Sequence, residues 1–193
     1  MKHNKYFVIL ILSLMILTNL TYGNIEESNL LLNFIHLYIG ERIQDKYLNT
    51  FLANHILNES IELNMDPLLI LAIIEIESSF KNVFGDGGDA VGFMQIHQHA
   101  AWYVINYNPD LEEKYIQIGT HENLIKYPGL QISIGMRYLK YMQDRSDFVT
   151  GISMYNGRTT KHNEYSNKVL KMYNEIVSKY LVYQLYVTTE VKR

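Results

Sequence analysis

The sequence predicts one mainly α-helical domain with at most a very small β element near residues 83–96. Apolar residues recur at helical spacing along most of the chain, and the alternating pattern of strands is almost absent. The chain has 193 residues, of which 48% are apolar and 19% are charged. This length and balance suit a single globular domain with its own core.

The N-terminal residues 1–23 have the pattern of a secretory signal peptide. Lys2 and Lys5 precede an apolar run, Tyr6–Leu17, and a short segment of polar and small residues follows it. The apolar run is shorter than the ~20 residues that span a bilayer. We therefore expect export to the periplasm or the medium, and the alternative is an uncleaved N-terminal membrane anchor.

The composition excludes several kinds of chemistry. The chain contains no Cys, which removes disulfides, thiol nucleophiles and zinc-thiolate sites. Its formal net charge is -3 and it has no basic stripe, so nucleic acid is not an expected partner. The 16 tyrosines, with apolar rings and polar hydroxyls, suit a wet and partly apolar groove, although many can serve simply as core or rim residues.

The helix boundaries follow from capping residues and helix breakers. Residues 24–62 have two apolar stripes separated by Gly40 and predict an N-terminal helical segment. Asp66 and Pro67 begin the next helix, which runs to about Ser79, because Asp caps free N–H groups and Pro is tolerated at the first helical position. Further helices are predicted over 98–106, from 108 onward, and over 128–144, 148–155 and 164–181. Residues 182–193 form a tail with some strand-like alternation.

Two glutamates lie near the end of the helix that begins at Pro67. Glu75 and Glu77 point about 200° apart, so they cannot act together on one substrate atom. Glu77 continues the apolar face of Ile70, Ile73 and Ile74. A carboxyl in apolar surroundings has a raised pKa and can stay protonated as a general acid. Alternatively, Glu77 is only a rim residue beyond the core.

A Gly/Asp loop, residues 85–89, follows this helix. Its glycines permit backbone conformations with positive φ, so the loop could wrap against a ligand. Asp86 and Asp89 could instead cap a surface turn, and a calcium loop is disfavoured because the closing glutamate of an EF-hand is missing. His97 and His99 are poorly spaced for a shared metal, and we expect neither a metal site nor a cofactor.

Three short segments follow one another along the chain: Glu77–Phe80 (ESSF), Gly92–Ile96 (GFMQI) and Ser153–Gly157 (SMYNG). They resemble the ES-x-F, G-L-M-Q and A-Y-N-x-G signatures of the soluble lytic transglycosylase family, in the lysozyme-like superfamily. The flanking segments Asp66–Leu69, Gln131–Leu139 and Tyr165–Val169 also resemble segments of the family, so the resemblance covers roughly residues 63–180.

The resemblance implies a lysozyme-like catalytic domain over residues 63–181 with a groove for peptidoglycan glycan strands. It implies cleavage of the β-1,4 bond between N-acetylmuramic acid and N-acetylglucosamine, with Glu77 as the single catalytic acid and base and a 1,6-anhydromuramic acid product. Ser78 would brace the end of the catalytic helix. Met94 and Gln95 would line the site near the N-acetyl group.

The third and last segments would complete the site. Carried over in the same way, Tyr155 would hydrogen-bond and orient Glu77, and Asn156 would support the turn that follows. Tyr165 would lie on the groove wall. Phe93 and Met154 replace a smaller Leu and Ala of the signatures, which would narrow the groove.

Two alternatives to transglycosylation remain. A second carboxylate across the groove, from Asp86 or Asp89, would favour attack by water, as in goose-type lysozymes. A non-catalytic wall-binding or assembly protein could also keep the fold, but it has no reason to keep the glutamate, glutamine and tyrosine set. Family analogy further suggests a monomer that opens the wall locally for an envelope-spanning secretion or assembly apparatus.

Overall fold

The computed structural model describes the backbone of residues 25–190 and the side chains of residues 28–189. Within that range the protein is a bundle of eight α-helices with one three-stranded antiparallel sheet of order β1-β2-β3. The helices are α1 Ile25–Gly40, α2 Lys46–Leu63, α3 Pro67–Ser78, α4 Gln98–Ile105, α5 Pro109–Gln117, α6 Pro128–Asp144, α7 Phe148–Tyr155 and α8 Glu164–Glu190. The strands are β1 Phe84–Gly85, β2 Ala90–Val91 and β3 Ile96–His97, with 3-10 turns at Asp86–Gly88 and His121–Lys126. The predicted mainly α fold with a very small β element is confirmed.

Helix α3 lies at the centre of the bundle. The eight residues Pro67–Ile74 are all buried, and α3 packs most extensively on α8. Its start is capped as predicted, because the Asp66 carboxylate accepts a hydrogen bond of 2.8 Å from the Leu68 N–H. The second carboxylate oxygen of Asp66 accepts from the Tyr173 hydroxyl of α8. This anchored helix carries Glu77 in its last turn.

Helices α1 and α2 share the core of the rest of the bundle. The Phe34 ring of α1 lies 5.1 Å from the Tyr180 ring of α8. On the other side, α2 and α6 are joined by a largely buried ion pair between Glu59 and Arg137, and the Ser133 hydroxyl donates to the same carboxylate over 2.7 Å. The predicted interruption at Gly40 is present, since α1 ends at that residue.

Helix α8 continues beyond its predicted end at residue 181. The sequence suggests a tail with strand-like alternation, but the chain remains helical to Glu190. No Gly or Pro interrupts this stretch, and the Thr188 hydroxyl donates to the Gln184 carbonyl one turn earlier, over 2.8 Å. The Tyr183 ring also packs 5.7 Å from Phe34. Contact with α1 therefore extends the helix, and the alternation does not produce a strand.

The segment between β2 and β3 is fixed to α6 by one buried amide. The Gln131 side chain accepts from the Phe93 N–H at 3.0 Å and donates to the Leu124 carbonyl at 2.9 Å. Gly92 takes a positive φ of 81°, and a Cβ there would lie 2.0 Å from the Gln131 Oε1. The second signature is therefore held as a rigid support under the end of α3.

The predicted signal peptide, residues 1–23, lies outside the described residues. Within residues 25–190, no helix is both long enough and apolar enough to cross a membrane.

Candidate active site

Glu77 lies at the C-terminal end of α3, partly buried, where the helix meets the second signature. The neighbouring Ser78 hydroxyl donates to the Phe93 carbonyl at 2.8 Å and to the Ile74 carbonyl at 3.2 Å. The helix then stops abruptly, because Ser79 and Phe80 both have positive φ. These contacts fix the direction in which the Glu77 side chain leaves the helix.

The Glu77 carboxyl has a strongly shifted protonation equilibrium. The Tyr165 hydroxyl of α8 donates a hydrogen bond of 2.5 Å to its Oε1. Burial raises the pKa of Glu77 to about 7, the hydrogen bond from Tyr165 lowers it, and the negative charge of Asp86 raises it. The group can therefore exist in both protonation states near neutral pH, as one residue that acts as acid and then as base requires.

Of the two tyrosines predicted near the site, Tyr165 and not Tyr155 bonds to Glu77. Tyr155 is buried at the end of α7 and donates over 2.8 Å to the Met94 carbonyl, with its ring 5.6 Å from that of Tyr138. The described residues contain no hydrogen bond between Tyr155 and Glu77. Tyr165 lines the α8 cleft, as its predicted place on the groove wall implies, and it also bonds to Glu77, because the first turn of α8 packs beside the end of α3.

Met94 and Gln95 have different surroundings in the structure. Met94 is fully buried and packs against Gly135 of α6, so the predicted lining role of its side chain is wrong. Gln95 has a positive φ of 48°, and its amide donates to the Gly92 carbonyl at 2.8 Å. Its side chain does line the cleft beside Glu77. The signature thus supplies one structural and one cleft residue.

Two clefts meet at Glu77. The α8 cleft, about 630 Å³, lies between the end of α3 and the start of α8. The sheet cleft, about 500 Å³, lies against β2 and β3. Glu77, Asn156 and Arg158 line both of them. The catalytic candidate therefore stands where one extended ligand could pass from one cleft into the other.

The two loop aspartates lie differently. Asp86 has a positive φ of 46° and lines the sheet cleft, where its Oδ2 lies 3.1 Å from the His97 Nε2. Asp89 is exposed and lines neither cleft. Among residues 28–189, no group of three or more His, Asp or Glu side chains could hold a metal ion. Asp86 is thus the one of the two that shares a cleft with Glu77.

Glu75 leaves α3 in a different direction from Glu77, as the helical spacing predicts, and it lines only the α8 cleft. Its carboxylate forms an ion pair with Arg42 and accepts from the Tyr38 hydroxyl at 3.4 Å. The Arg42 guanidinium also lies 3.7 Å from the centre of the Tyr38 ring. Glu75 therefore joins α3 to the end of α1 and leaves Glu77 as the acid at the junction of the clefts.

Arg158 is a cleft residue that the sequence reasoning did not single out. The A-Y-N-x-G signature has its glycine two residues after the asparagine, whereas this chain has Gly157 directly after Asn156 and Arg158 next. Gly157 has a positive φ of 71° and the Arg158 N–H donates to the Ser153 carbonyl at 3.0 Å, which closes α7. A charged residue inside a signature turn is the signal that could have identified it.

Comparison with known families agrees with this geometry. The transglycosylase SLT domain family matches residues 54–179, from the second half of α2 into α8 and across every cleft residue named above. Comparison with curated proteins gives no match. Because the family match spans well over half of the chain, the protein belongs to the transglycosylase SLT domain family, which acts on peptidoglycan.

Proposed function

We propose that the protein is a lytic transglycosylase that cleaves the β-1,4 bond between N-acetylmuramic acid and N-acetylglucosamine in peptidoglycan. The observation that carries the proposal is Glu77 itself. It is a single carboxyl with a pKa raised to about 7, and it stands where two clefts meet. A glycan strand laid through both clefts would place one glycosidic bond at this carboxyl.

The chemistry needs one group that changes protonation state. Protonated Glu77 donates its proton to the glycosidic oxygen as the bond to the muramoyl C1 breaks, and the acetamide of the substrate supports the positive charge at C1. The Glu77 carboxylate then accepts the proton of the muramoyl 6-hydroxyl while the oxygen of that hydroxyl forms a bond to C1. No water is consumed, and Glu77 ends in its initial state.

Tyr165 fits the second half of this cycle. Its hydroxyl donates to Glu77 and thereby stabilises the carboxylate, against the effect of burial. The phenol itself stays neutral, because burial raises the pKa of Tyr165 well above its ordinary value. The opposing effects of burial and of Tyr165 therefore keep the pKa of Glu77 near neutrality, where both protonation states are accessible.

Product mass tests the proposal directly. Purified peptidoglycan is digested with the protein, and the soluble muropeptides are weighed by mass spectrometry. We expect anhydromuropeptides from the wild type and a rate lower by about 10²- to 10⁴-fold for Glu77→Gln. Glu113→Gln, at an exposed carboxyl of α5 that lines neither cleft, is the matched control and should still form the anhydro product. Products heavier by one water would overturn transglycosylation.

Hydrolysis is the second candidate, because Asp86 lines the same cleft as Glu77. A second carboxylate can activate a water on the opposite face of the sugar. Under hydrolysis, Asp86→Asn abolishes the water-containing product, whereas under transglycosylation it leaves the anhydro product in place. A wild type that binds glycan as well as Glu77→Gln does, with no product from either, would indicate a wall-binding protein.

We further propose that the protein is an exported monomer that opens the wall locally for an envelope-spanning apparatus. Support comes from the apolar N-terminal run, the small size and the location of peptidoglycan outside the cytoplasm. Cell fractionation and sedimentation of the purified protein test the location and the monomer. Deletion that leaves every such apparatus intact while general wall turnover slows would contradict the local role.

A further inference from the structure

The charged side chains around the two clefts are almost all paired within the protein. Glu75 pairs with Arg42, Glu164 with Lys168 at 2.7 Å, and Asp86 with His97. Glu77 accepts from Tyr165 and its pKa lies near neutrality. The charges of Glu75 and Glu164 are therefore balanced by cations of the protein itself before any substrate binds.

Arg158 is the exception among the cleft residues. In the described part of the chain its guanidinium forms no ion pair with a carboxylate. Arg158 has a weak electrostatic interaction with Glu164, whose pKa is lowered first by Lys168 and only last by Arg158. Arg158 thus presents a full positive charge to both clefts.

The backbone that carries Arg158 is held in place. Besides the bond from its own N–H to the Ser153 carbonyl, the Ser153 hydroxyl donates to the Lys161 carbonyl at 2.9 Å. The Ser166 hydroxyl of α8 donates to that same carbonyl at 3.0 Å. The loop is therefore tied to both α7 and α8, which fixes the backbone from which the Arg158 side chain reaches the wall of both clefts.

We infer that Arg158 binds a carboxylate of the peptide stem carried by the muramoyl residue at the cleaved bond. The inference rests on the proposed function, since the stem is attached to the sugar whose C1 reacts. A planar guanidinium can engage a carboxylate through two parallel hydrogen bonds, which gives orientation as well as attraction. Arg158 would then make the enzyme prefer glycan strands that still carry their stems.

The test compares two substrates, glycan strands with intact stems and the same strands after an amidase has removed the stems. The measured quantity is the ratio of kcat/KM for the stemmed strand to that for the bare strand. We expect Arg158→Gln to lower this ratio by about tenfold or more, as loss of a hydrogen bond between charged groups implies. Arg158→Lys, which keeps the charge but loses the paired geometry, should recover part of it.

Lys161→Gln is the matched control. It removes the same charge from the same loop, but Lys161 is exposed, pairs with Asp147 at 3.1 Å and lines neither cleft. Its ratio should equal that of the wild type. A ratio for Arg158→Gln equal to that of the wild type, or a tenfold fall in the control as well, would overturn the inference.

A binding measurement separates this inference from the proposed function. If the wild type cleaves neither strand, the proposed function fails, and the dissociation constants of the two strands are compared for Glu77→Gln with and without Arg158→Gln. Tighter binding of the stemmed strand that disappears with Arg158→Gln supports the inference on its own. Equal loss of affinity for both strands contradicts it.

Discussion

At the scale of single residues, the protonation of Glu77 is set by its burial and by two neighbouring side chains that have opposite effects. Burial raises its pKa to about 7, the Tyr165 hydroxyl lowers it, and the Asp86 charge raises it. Each of the two side chains can be changed with nearly no change in size. The alkaline limb of the pH profile of kcat/KM reports the pKa of the required acid in the free enzyme.

Tyr165→Phe should shift that alkaline limb to higher pH. The hydrogen bond from Tyr165 favours the carboxylate, so its removal raises the pKa of Glu77 further above its usual value. Turnover at neutral pH should fall by about tenfold, because the carboxylate that forms when Glu77 donates its proton loses the hydrogen bond that stabilises it. Tyr155→Phe makes the same change at a tyrosine that bonds to the Met94 carbonyl. It should lower Tm without moving the limb.

Asp86→Asn should move the same limb in the opposite direction, to lower pH. A negative charge near Glu77 disfavours its ionisation, so neutralising Asp86 lowers the pKa of Glu77. Asp89→Asn changes the same charge three residues away, outside both clefts, and should leave the limb in place. A profile of Asp86→Asn that coincides with that of the wild type would show that Asp86 has no electrostatic influence on Glu77.

At the scale of elements, the site depends on close packing between α6 and the second signature. A Cβ at Gly135 would lie 2.5 Å from the Met94 Sδ and 3.0 Å from the Met94 Cβ. Only a residue without a Cβ fits at position 135, because the fully buried Met94 side chain packs directly against the backbone there. The Met94 carbonyl also accepts a hydrogen bond from the Tyr155 hydroxyl, so both α6 and α7 contact the second signature.

Gly135→Ala should lower the free energy of unfolding by about 1–3 kcal/mol, the range typical of overpacked cores. Denaturant unfolding measures this change in stability. We also expect kcat to fall, because a shift of Met94 moves the neighbouring Gln95. Gly129→Ala makes the same change in the first turn of α6, where the new Cβ lies 2.9 Å from the Phe51 Cζ and 3.5 Å from the His55 Cε1, and the exposed Phe51 ring can move into solvent. We expect it to be as stable as the wild type within about 1 kcal/mol.

At the scale of the whole molecule, the buried Glu77 carboxyl acts against the stability of the fold. A carboxyl whose pKa rises from 4.5 in the unfolded chain to about 7 in the folded one binds more protons when folded over that interval. Stability therefore falls as pH rises from about 4.5 to 7, and stays reduced above it. This loss of folding stability arises because Glu77 is held in a largely buried position at the end of α3.

Glu77→Gln should consequently become more stable than the wild type as the pH rises. The gain is absent at pH 4, where Glu77 is protonated in both states, and approaches about 3 kcal/mol above pH 8, since each pKa unit corresponds to about 1.4 kcal/mol. Denaturant unfolding at pH 4, 6 and 8 measures it. A difference between the two proteins that does not vary with pH would contradict a raised pKa at Glu77.

The sequence by itself determined most of the helices and selected Glu77 over Glu75 as the candidate acid. Helices over 128–144 and 148–155 were predicted with the observed boundaries, and Asp66 caps α3 as expected. The 3.6-residue period was enough to separate Glu77 from Glu75. These features depend on hydrogen bonds and spacing within one or two turns of chain, which adjacent residues encode.

Tertiary structure alone decided which side chains serve the acid. Tyr165 bonds to Glu77 across 88 residues of sequence, and Tyr155 bonds to Met94 across 61. The burial of Met94 and the extension of α8 against α1 likewise come from packing between distant segments. Such pairings depend on how the helices cross and on which small residues allow close approach, and local periodicity carries neither kind of information.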